Sequence, residues 1–352
     1  MTYKILILGA SYGSLLGTKL LMAGHDVTLV CRAETAKLIN TEGTEVRIKL
    51  RGEDEHRSIK SVDLPGTVNA LTPEEVNPAD YDLVGLAMQE PQYGASSVAS
   101  LMRRIAEARV PCLSIMNMPP LPYLKRIPGL DTSKLEDCFA NPRVWDGFDP
   151  ELVTLCSPDP QAFRPPEEKA NVLHVGLPTN FKAAAFGNAE HNKILTDLEA
   201  DISGVQLDGQ DVPVKLRVFD SLFVPLAKWS MLLTGNYRCM TKNGLRPIKD
   251  AVHGDPEKSS QIYAYVDTIA QKLGADPADQ VPFAKYATAA ERLLKPSSAA
   301  RAVDAGATRI ERVDMLVQKI GNQLGLVNSV INETVEIVNT LLARNARSTE
   351  AA

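Results

Sequence analysis

The sequence predicts an α/β protein in which an N-terminal domain built on a parallel sheet is followed by a mostly α-helical domain. Three observations carry that prediction. An apolar run at residues 3–8 passes directly into a glycine-rich turn and then an amphipathic stretch. Short apolar runs recur at residues 82–86 and 111–116 with helical spacing between them at 95–107. After about residue 188, apolar residues repeat with helical period over long segments. At 352 residues the chain exceeds the usual single core, so two domains are expected, at 1–188 and 189–345, with a polar tail at 346–352.

The first run, Tyr3 to Leu8, is apolar enough to be a strand buried on both faces. Gly9, Ala10, Ser11, Tyr12 and Gly13 follow it, residues 14–22 have helical spacing, Gly24 stops that helix, and residues 27–30 form a second strand. Strand, glycine turn, helix and strand make the parallel unit that requires a right-handed crossover. In that context the backbone can approach a pyrophosphate and helix amides can face it, which predicts a Rossmann-type dinucleotide site. The glycine pattern is irregular: Ser11 stands where a second glycine is usual, and the spacing to Gly13 and Gly17 is one residue short. Cys31 and Arg32 end the second strand. An arginine there suits a 2′-phosphate and favours NADP(H), while Glu34 keeps NAD(H) as the alternative.

Residues 119–166 contain ten prolines and predict an irregular insertion with few long elements, in which Phe139, Trp145, Phe148 and Phe163 supply something to bury. Strands at 172–175 and 181–186 would close the first domain. In the second, Ile262, Val266, Ile269 and Leu273 share one helix face, as do Val313, Leu316, Val317, Ile320 and Leu324, and a last helix carries Val330, Ile331, Val335, Val338 and Leu342. No internal repeat is visible.

The net charge of -5 argues against nucleic acid as a partner, since phosphate-backbone affinity needs clustered cations. No apolar stretch reaches the length of a membrane span, and the N-terminal residues lack the pattern of a signal peptide, so a cytoplasmic protein is expected. Five dispersed cysteines fit reduced thiols, and five histidines without paired spacing predict no metal site. Arg238, Lys242, Arg246 and Lys249 concentrate positive charge, but Pro247 breaks any continuous helix through them, and a solvated charge run is the expectation.

Over residues 5–32, which include Ala23, Gly24, His25 and Asp26, over 82–93, over 113–117, at Lys228 and Trp229, and over 322–334, the chain resembles the ketopantoate reductase family. The resemblance spans most of the length. It implies an NADP-binding Rossmann-type domain followed by a helical domain of the 6-phosphogluconate dehydrogenase-like type, with Met88, Gln89 and Asn117 beside the cofactor. Gln89 stands where that family usually has Lys, and Met118 replaces the glycine that follows the family's Asn. The family's proton-donating Lys, aligned on Trp229, falls on Met231; a shifted register gives its role to Lys228, with Asn236 eight residues on as an orienting amide. The family's Thr-Glu-Ile-Asp stretch is matched by Thr308, Arg309, Ile310 and Glu311, which puts Arg309 in place of an acid. Ser297 matches the serine that contacts a substrate carboxylate. The function the resemblance implies is that of an NADP(H)-dependent oxidoreductase acting on a small anionic organic substrate, a carbonyl or secondary alcohol bearing a carboxylate, and other than ketopantoate. A homodimer is a permitted assembly. The altered residues keep three alternatives open: an opine-type condensation, a redox-neutral nicotinamide-dependent reaction, and a nucleotide-binding regulator without catalysis.

Overall fold

The protein, described by a computed structural model over residues 1–350, divides into two compact units. Residues 351 and 352 of the expected tail lie outside the described residues. The first unit comprises residues 1–88, 92–126 and 143–220; the second comprises 89–91, 127–142 and 221 onward.

The first unit starts with β1 (Lys4–Leu8), α1 (Gly13–Met22), β2 (Asp26–Val30) and α2 (Ala33–Glu42). It continues through β3 (Glu45–Ile48), β4 (Arg57–Lys60), β5 (Val68–Leu71), β6 (Leu83–Leu86), α3 (Ser96–Ala108), β7 (Cys112–Ile115) and α4 (Leu121–Leu124). It ends with β8 (Val153–Ser157), β9 (Gln161–Phe163), β10 (Val172–Leu177), β11 (Phe181–Ala184), α5 (Ala189–Ser203), the hairpin β12 (Gln206–Leu207) and β13 (Gln210–Asp211), and β14 (Leu216–Phe219).

Eight strands form the main sheet in the order β14-β11-β8-β7-β6-β1-β2-β5, all pairs parallel except β11 with β8. The chain leaves β1 toward β2 and later returns on its other side at β6, so β1 is where the strand order reverses. In open α/β sheets the ligand crevice lies beyond the carboxyl ends of the strands at that reversal. Ile5, Leu6, Ile7 and Leu8 are buried on both faces, each stabilising by roughly 1.5–3 kcal/mol, which explains why this short run sits at the sheet centre. A smaller sheet, β4-β3-β10-β9, is built from the excursion between β2 and β5 and from β9 and β10.

Two expectations require correction. The proline-rich segment contributes β8 to the main sheet and β9 to the smaller one, while its residues 127–142 group with the second unit. Trp145, Phe148 and Phe139 are buried as expected, but Phe163 is 56% exposed. The domain boundary also lies later than residue 188, because α5 packs on α1 and β14, and β14 extends the main sheet.

The second unit holds α6 (Lys228–Met231), the hairpin β15 (Met240–Thr241) and β16 (Gly244–Leu245), α7 (Ile248–His253), α8 (Pro256–Lys272), α9 (Phe283–Ala290), α10 (Ser298–Asp304), α11 (Val313–Gln323) and α12 (Ser329–Glu350). The periodic residues are the buried ones: Ile262, Val266 and Ile269 on α8, Val313, Leu316, Val317 and Ile320 on α11, Ile331, Val335 and Val338 on α12. The last helix runs through Glu350, so most of the expected tail is helical. Among the described residues no helix is long and apolar enough to cross a membrane.

Lys19 on α1 is 2% exposed, and its Nζ donates to the Val212 carbonyl at 3.1 Å. Burial first, and then the nearby Lys215 charge, push its pKa from 10.5 to about 7. Between those two values the unfolded chain holds a proton that the folded chain has shed, so stability from this residue rises with pH across the window. Lys19→Met is expected to shrink the gain in Tm between about pH 7 and about pH 9.5, read by thermal melts of both proteins; an unchanged gain would show that the lysine is not held neutral.

Candidate nucleotide and substrate site

The glycine turn lies at the carboxyl end of β1. Gly9 adopts φ +106°, and a Cβ there would stand 2.7 Å from the Ala87 carbonyl oxygen. Its N–H donates to the Val30 carbonyl at 3.0 Å, and the Ala87 N–H donates to the Leu8 carbonyl at 2.9 Å, so the ends of β1, β2 and β6 are drawn together at this one residue. A Cβ on Gly13 would lie 2.5 Å from Ile7 Cγ2, which makes Gly13 the close-packing glycine between helix and strand despite the shortened spacing. Ala10 turns into the core and Ser11 is exposed. The Ser11 carbonyl accepts from the Ser14 amide and hydroxyl, at 3.3 and 2.8 Å, as the first turn of α1 is set. The Tyr12 side chain is committed within the protein: its hydroxyl donates to the Pro160 carbonyl at 2.6 Å, and its ring meets Phe181 edge-on. Only the Tyr12 backbone is left for a phosphate.

Arg32 follows β2 and opens α2. A second guanidinium shares its surroundings. Arg164, just beyond β9, is partly buried, and its pKa is pushed down first by burial and then by the charge of Arg32. Beside them lies Cys31, whose thiol burial pushes up to about 11 against the pull of Arg164. Neither guanidinium has a hydrogen bond or ion pair among the described residues. The Tyr12 to Pro160 hydrogen bond anchors the segment that leads into β9 and Arg164 to the glycine turn itself. Two unpaired guanidiniums, a φ-positive glycine with no room for a side chain, and a helix start suit a dinucleotide with an extra phosphate. Nothing local in the sequence marks Arg164; the β9 to β10 and β10 to β3 pairings, with the Tyr12 hydrogen bond, bring it here.

Asn117 is half-buried two residues beyond β7, at the same carboxyl edge, and Met118 is fully buried where the resemblance expected glycine. The Met88 N–H donates to the Tyr93 hydroxyl at 3.1 Å, which fixes the backbone just past β6.

In the second unit, α6 continues without a break into a π-type turn (Leu232–Asn236) and a 3-10 turn (Tyr237–Cys239). Eight residues of plain α-helix overshoot two turns by about 80°. A π-type turn winds less per residue and takes most of that back, which carries Lys228 and Asn236 toward one side of the run. Gly235 is required within it, since a Cβ would fall 2.0 Å from the Tyr286 hydroxyl. That hydroxyl donates to the Met231 carbonyl at 3.1 Å. Lys228 is half-buried, Met231 is likewise partly covered, and the Asn236 side chain has no hydrogen bond among the described residues.

Ser297 meets the backbone of Asn236. It is 3% exposed, donates to the Asn236 carbonyl at 2.8 Å and accepts from the Ala300 amide at 3.2 Å as the N-cap of α10. With its one proton spent, the expected carboxylate contact has no donor from this residue. Arg309 is exposed and donates to the Ala140 carbonyl at 3.3 Å. The Ala140 amide in turn bonds both oxygens of Glu90, at 3.0 and 3.2 Å. Glu90, next to the exposed Gln89, is 2% exposed; its pKa rises to about 7, chiefly through burial, with Glu311 adding to the rise and the amides of Ala140 and Asn141 and the Arg309 charge opposing it. The Glu90 amide reaches Glu311 Oε1 at 3.4 Å. Residues 89–90, 140 and 309–311 thus converge, and Glu90 is the member that sequence reading missed. Among the described residues no group of side chains could hold a metal ion.

Residues 5–117 match the family model described as ketopantoate reductase PanE/ApbA. No curated protein matches the sequence. Solved structures match along nearly the full length at low identity. D-mandelate dehydrogenase, described with NADH and anilino(oxo)acetate, is 14% identical, with a TM-score of 0.64 over 97% of this chain and 99% of that one. The 2-dehydropantoate 2-reductase of Methylococcus capsulatus is 12% identical, with a TM-score of 0.66 over 97% of each chain. The dimeric ketopantoate reductase of Staphylococcus aureus is 11% identical, with a TM-score of 0.59 over 97% of this chain and 99% of that one. The parallel-sheet domain followed by a helical domain is the fold these proteins have. Residues 5–117 thus match the ketopantoate reductase family model, and along nearly its full length the chain has the fold of these solved structures.

Proposed function

We propose that this chain is a cytoplasmic NADP(H)-dependent oxidoreductase of ketopantoate reductase-like type, acting on a carbonyl or secondary alcohol that bears a carboxylate and is not ketopantoate. The observation that carries the reading is the edge of the sheet where Gly9 rests on Ala87 while Arg32 and Arg164 stand unpaired beside it. The backbone of residues 9–13 would hold the pyrophosphate, the two arginines a 2′-phosphate, and Asn117 the nicotinamide end. A bound nicotinamide supplies hydride transfer; the protein supplies position and a proton. Lys228 serves as the proton donor or acceptor at the substrate oxygen, and Asn236, on the same side of the helical run, orients that oxygen. Arg309, standing where the family has an acid, favours a substrate with an anionic end. D-mandelate dehydrogenase, with its oxo-acid ligand, supports a carboxylate-bearing substrate for this fold. Because that relative is described with NADH, the preference for NADP(H) rests on the arginines of this chain. A homodimer is part of the proposal, as in the Staphylococcus aureus relative.

Arg32→Ala and Arg164→Ala are each expected to weaken NADPH binding about 10- to 100-fold, the value of a hydrogen bond between charged groups, while NADH binding changes little. Fluorescence titration of both cofactors measures this, and equal losses for NADPH and NADH would remove the phosphate assignment. Lys228→Ala is expected to lower kcat by about 10²- to 10⁴-fold on whichever 2-oxo or 2-hydroxy acid a substrate panel identifies, with the Kd for cofactor unchanged. Full kcat in that variant would exclude Lys228 from the chemistry.

A further inference from the structure

The second unit holds a separate concentration of positive charge that the nucleotide and substrate assignments do not use. Arg238, Lys242 and Arg246 do not share a helix. The first lies in the 3-10 turn, the second at the tip of the β15–β16 hairpin, and the third follows it. The hairpin folds back so that Arg246 Nε donates to the Arg238 carbonyl at 2.8 Å, and all three residues line one cavity of about 340 Å³. Lys258 of α8 joins them, and Val330 and Ile337 of α12 supply an apolar floor. That volume lies at the lower end of the range for small-molecule sites.

The charges are not balanced within the protein. Asp255 and Glu333 are the carboxylates on the cavity wall, against four cationic side chains. Glu333 sits 3.5 Å from Lys242. Asp255 is committed to capping α8, accepting from the Lys258 amide at 3.0 Å. Arg238 is 7% exposed, and its Nη1 donates only to neutral acceptors, the Thr234 carbonyl at 3.1 Å and the Ser259 hydroxyl at 2.9 Å. Among the described residues no carboxylate forms an ion pair with it; burial and then the charge of Arg246 disfavour its charged form, with Asp255 opposing them. A buried guanidinium left without a paired counter-charge is costly, and a bound anion removes the cost.

We propose that this cavity is a binding site for a small phosphate-bearing anion, gripped by the free guanidinium faces of Arg238 and Arg246 with Lys242 and Lys258 at the rim. Two forked guanidiniums match the oxygens of a dianionic phosphate better than a single carboxylate, and the apolar floor accommodates an organic portion. The site is distinct from the nucleotide site and does not depend on the cofactor assignment.

Inorganic pyrophosphate, titrated calorimetrically into the full chain in low-salt buffer, is the probe. The pyrophosphate bound at this cavity, as distinct from any held by the backbone of residues 9–13, is expected to persist in an Arg32→Ala, Arg164→Ala double variant and to weaken at least about tenfold in Arg246→Met, the loss of one charge-assisted contact. Lys258→Met, at an exposed position that raises no question of folding, is expected to weaken it about threefold. Unchanged affinity in both Arg246→Met and Lys258→Met, or loss of all binding in the double variant, would overturn the proposal.

Discussion

The first unit depends on the missing side chain at Gly9. Because nothing projects from its Cα, the glycine turn can rest on the Ala87 carbonyl, and the carboxyl ends of β1, β2 and β6 meet at one point. Any Cβ there would push the turn off the β6 strand end and take α1 with it, since Gly13 packs just as closely on Ile7 one turn later. These two contacts fix where the first amides of α1 point. They also explain how a motif one residue short keeps the turn's geometry: the first glycine supplies the unusual φ and Gly13 the close approach. Ser11 is tolerated because it faces outward.

A comparable constraint organises the start of the helical unit. The run from Lys228 to Cys239 changes from α to π to 3-10 winding in one continuous stretch. Irregular winding of that kind costs hydrogen-bond quality and persists only where surrounding contacts hold it. Here the contacts are visible: Tyr286 on the Met231 carbonyl, Ser297 on the Asn236 carbonyl, and Tyr237, whose hydroxyl donates to the Glu311 carbonyl at 2.5 Å and accepts from the Val313 amide at 3.1 Å. Ser297 is therefore informative in its corrected role. It holds the backbone carbonyl of Asn236 and caps α10.

The parts of the fold legible in the sequence were those written in local pattern. The β1, turn, α1, β2 unit follows from its apolar run and glycines, and α8, α11 and α12 follow from periodicity. What was not legible depends on partners distant in the chain. The strand Val153–Ser157 looked like loop because prolines surround it, and it is a strand because β7 and β11 flank it. Arg164 follows the short, largely exposed β9 and carries no motif; its place beside Arg32 is a product of sheet pairing. The same limit applied to Glu90. Its neighbours Met88 and Gln89 were singled out by resemblance, but the groups that surround its carboxyl and amide come from Ala140 and Glu311, far along the chain. The relation of Lys228 to Asn236 was open in the sequence because helical phase cannot be counted through a π-type turn that periodicity does not reveal.

Charge distribution ties these features together. With a net charge of -5, the protein offers an anion no long-range attraction, and its arginines are dispersed among a slight excess of acids. An anionic ligand must then be recognised at close range, by cations that the fold has kept from pairing with carboxylates. Several partly buried cations pair with carboxylates: Arg47 with Glu45 and Glu168, Arg312 with Asp314, Lys319 with Asp137. Arg32 with Arg164, and Arg238 with Arg246, differ in that each pair brings two guanidiniums close enough to disfavour one another's charge, and none of the four forms an ion pair among the described residues. Like charges placed together repel, most where one of them is buried, as Arg238 is. The same physical argument in both units, a local electrostatic cost that a bound anion would offset, is the ground on which both anion sites are proposed.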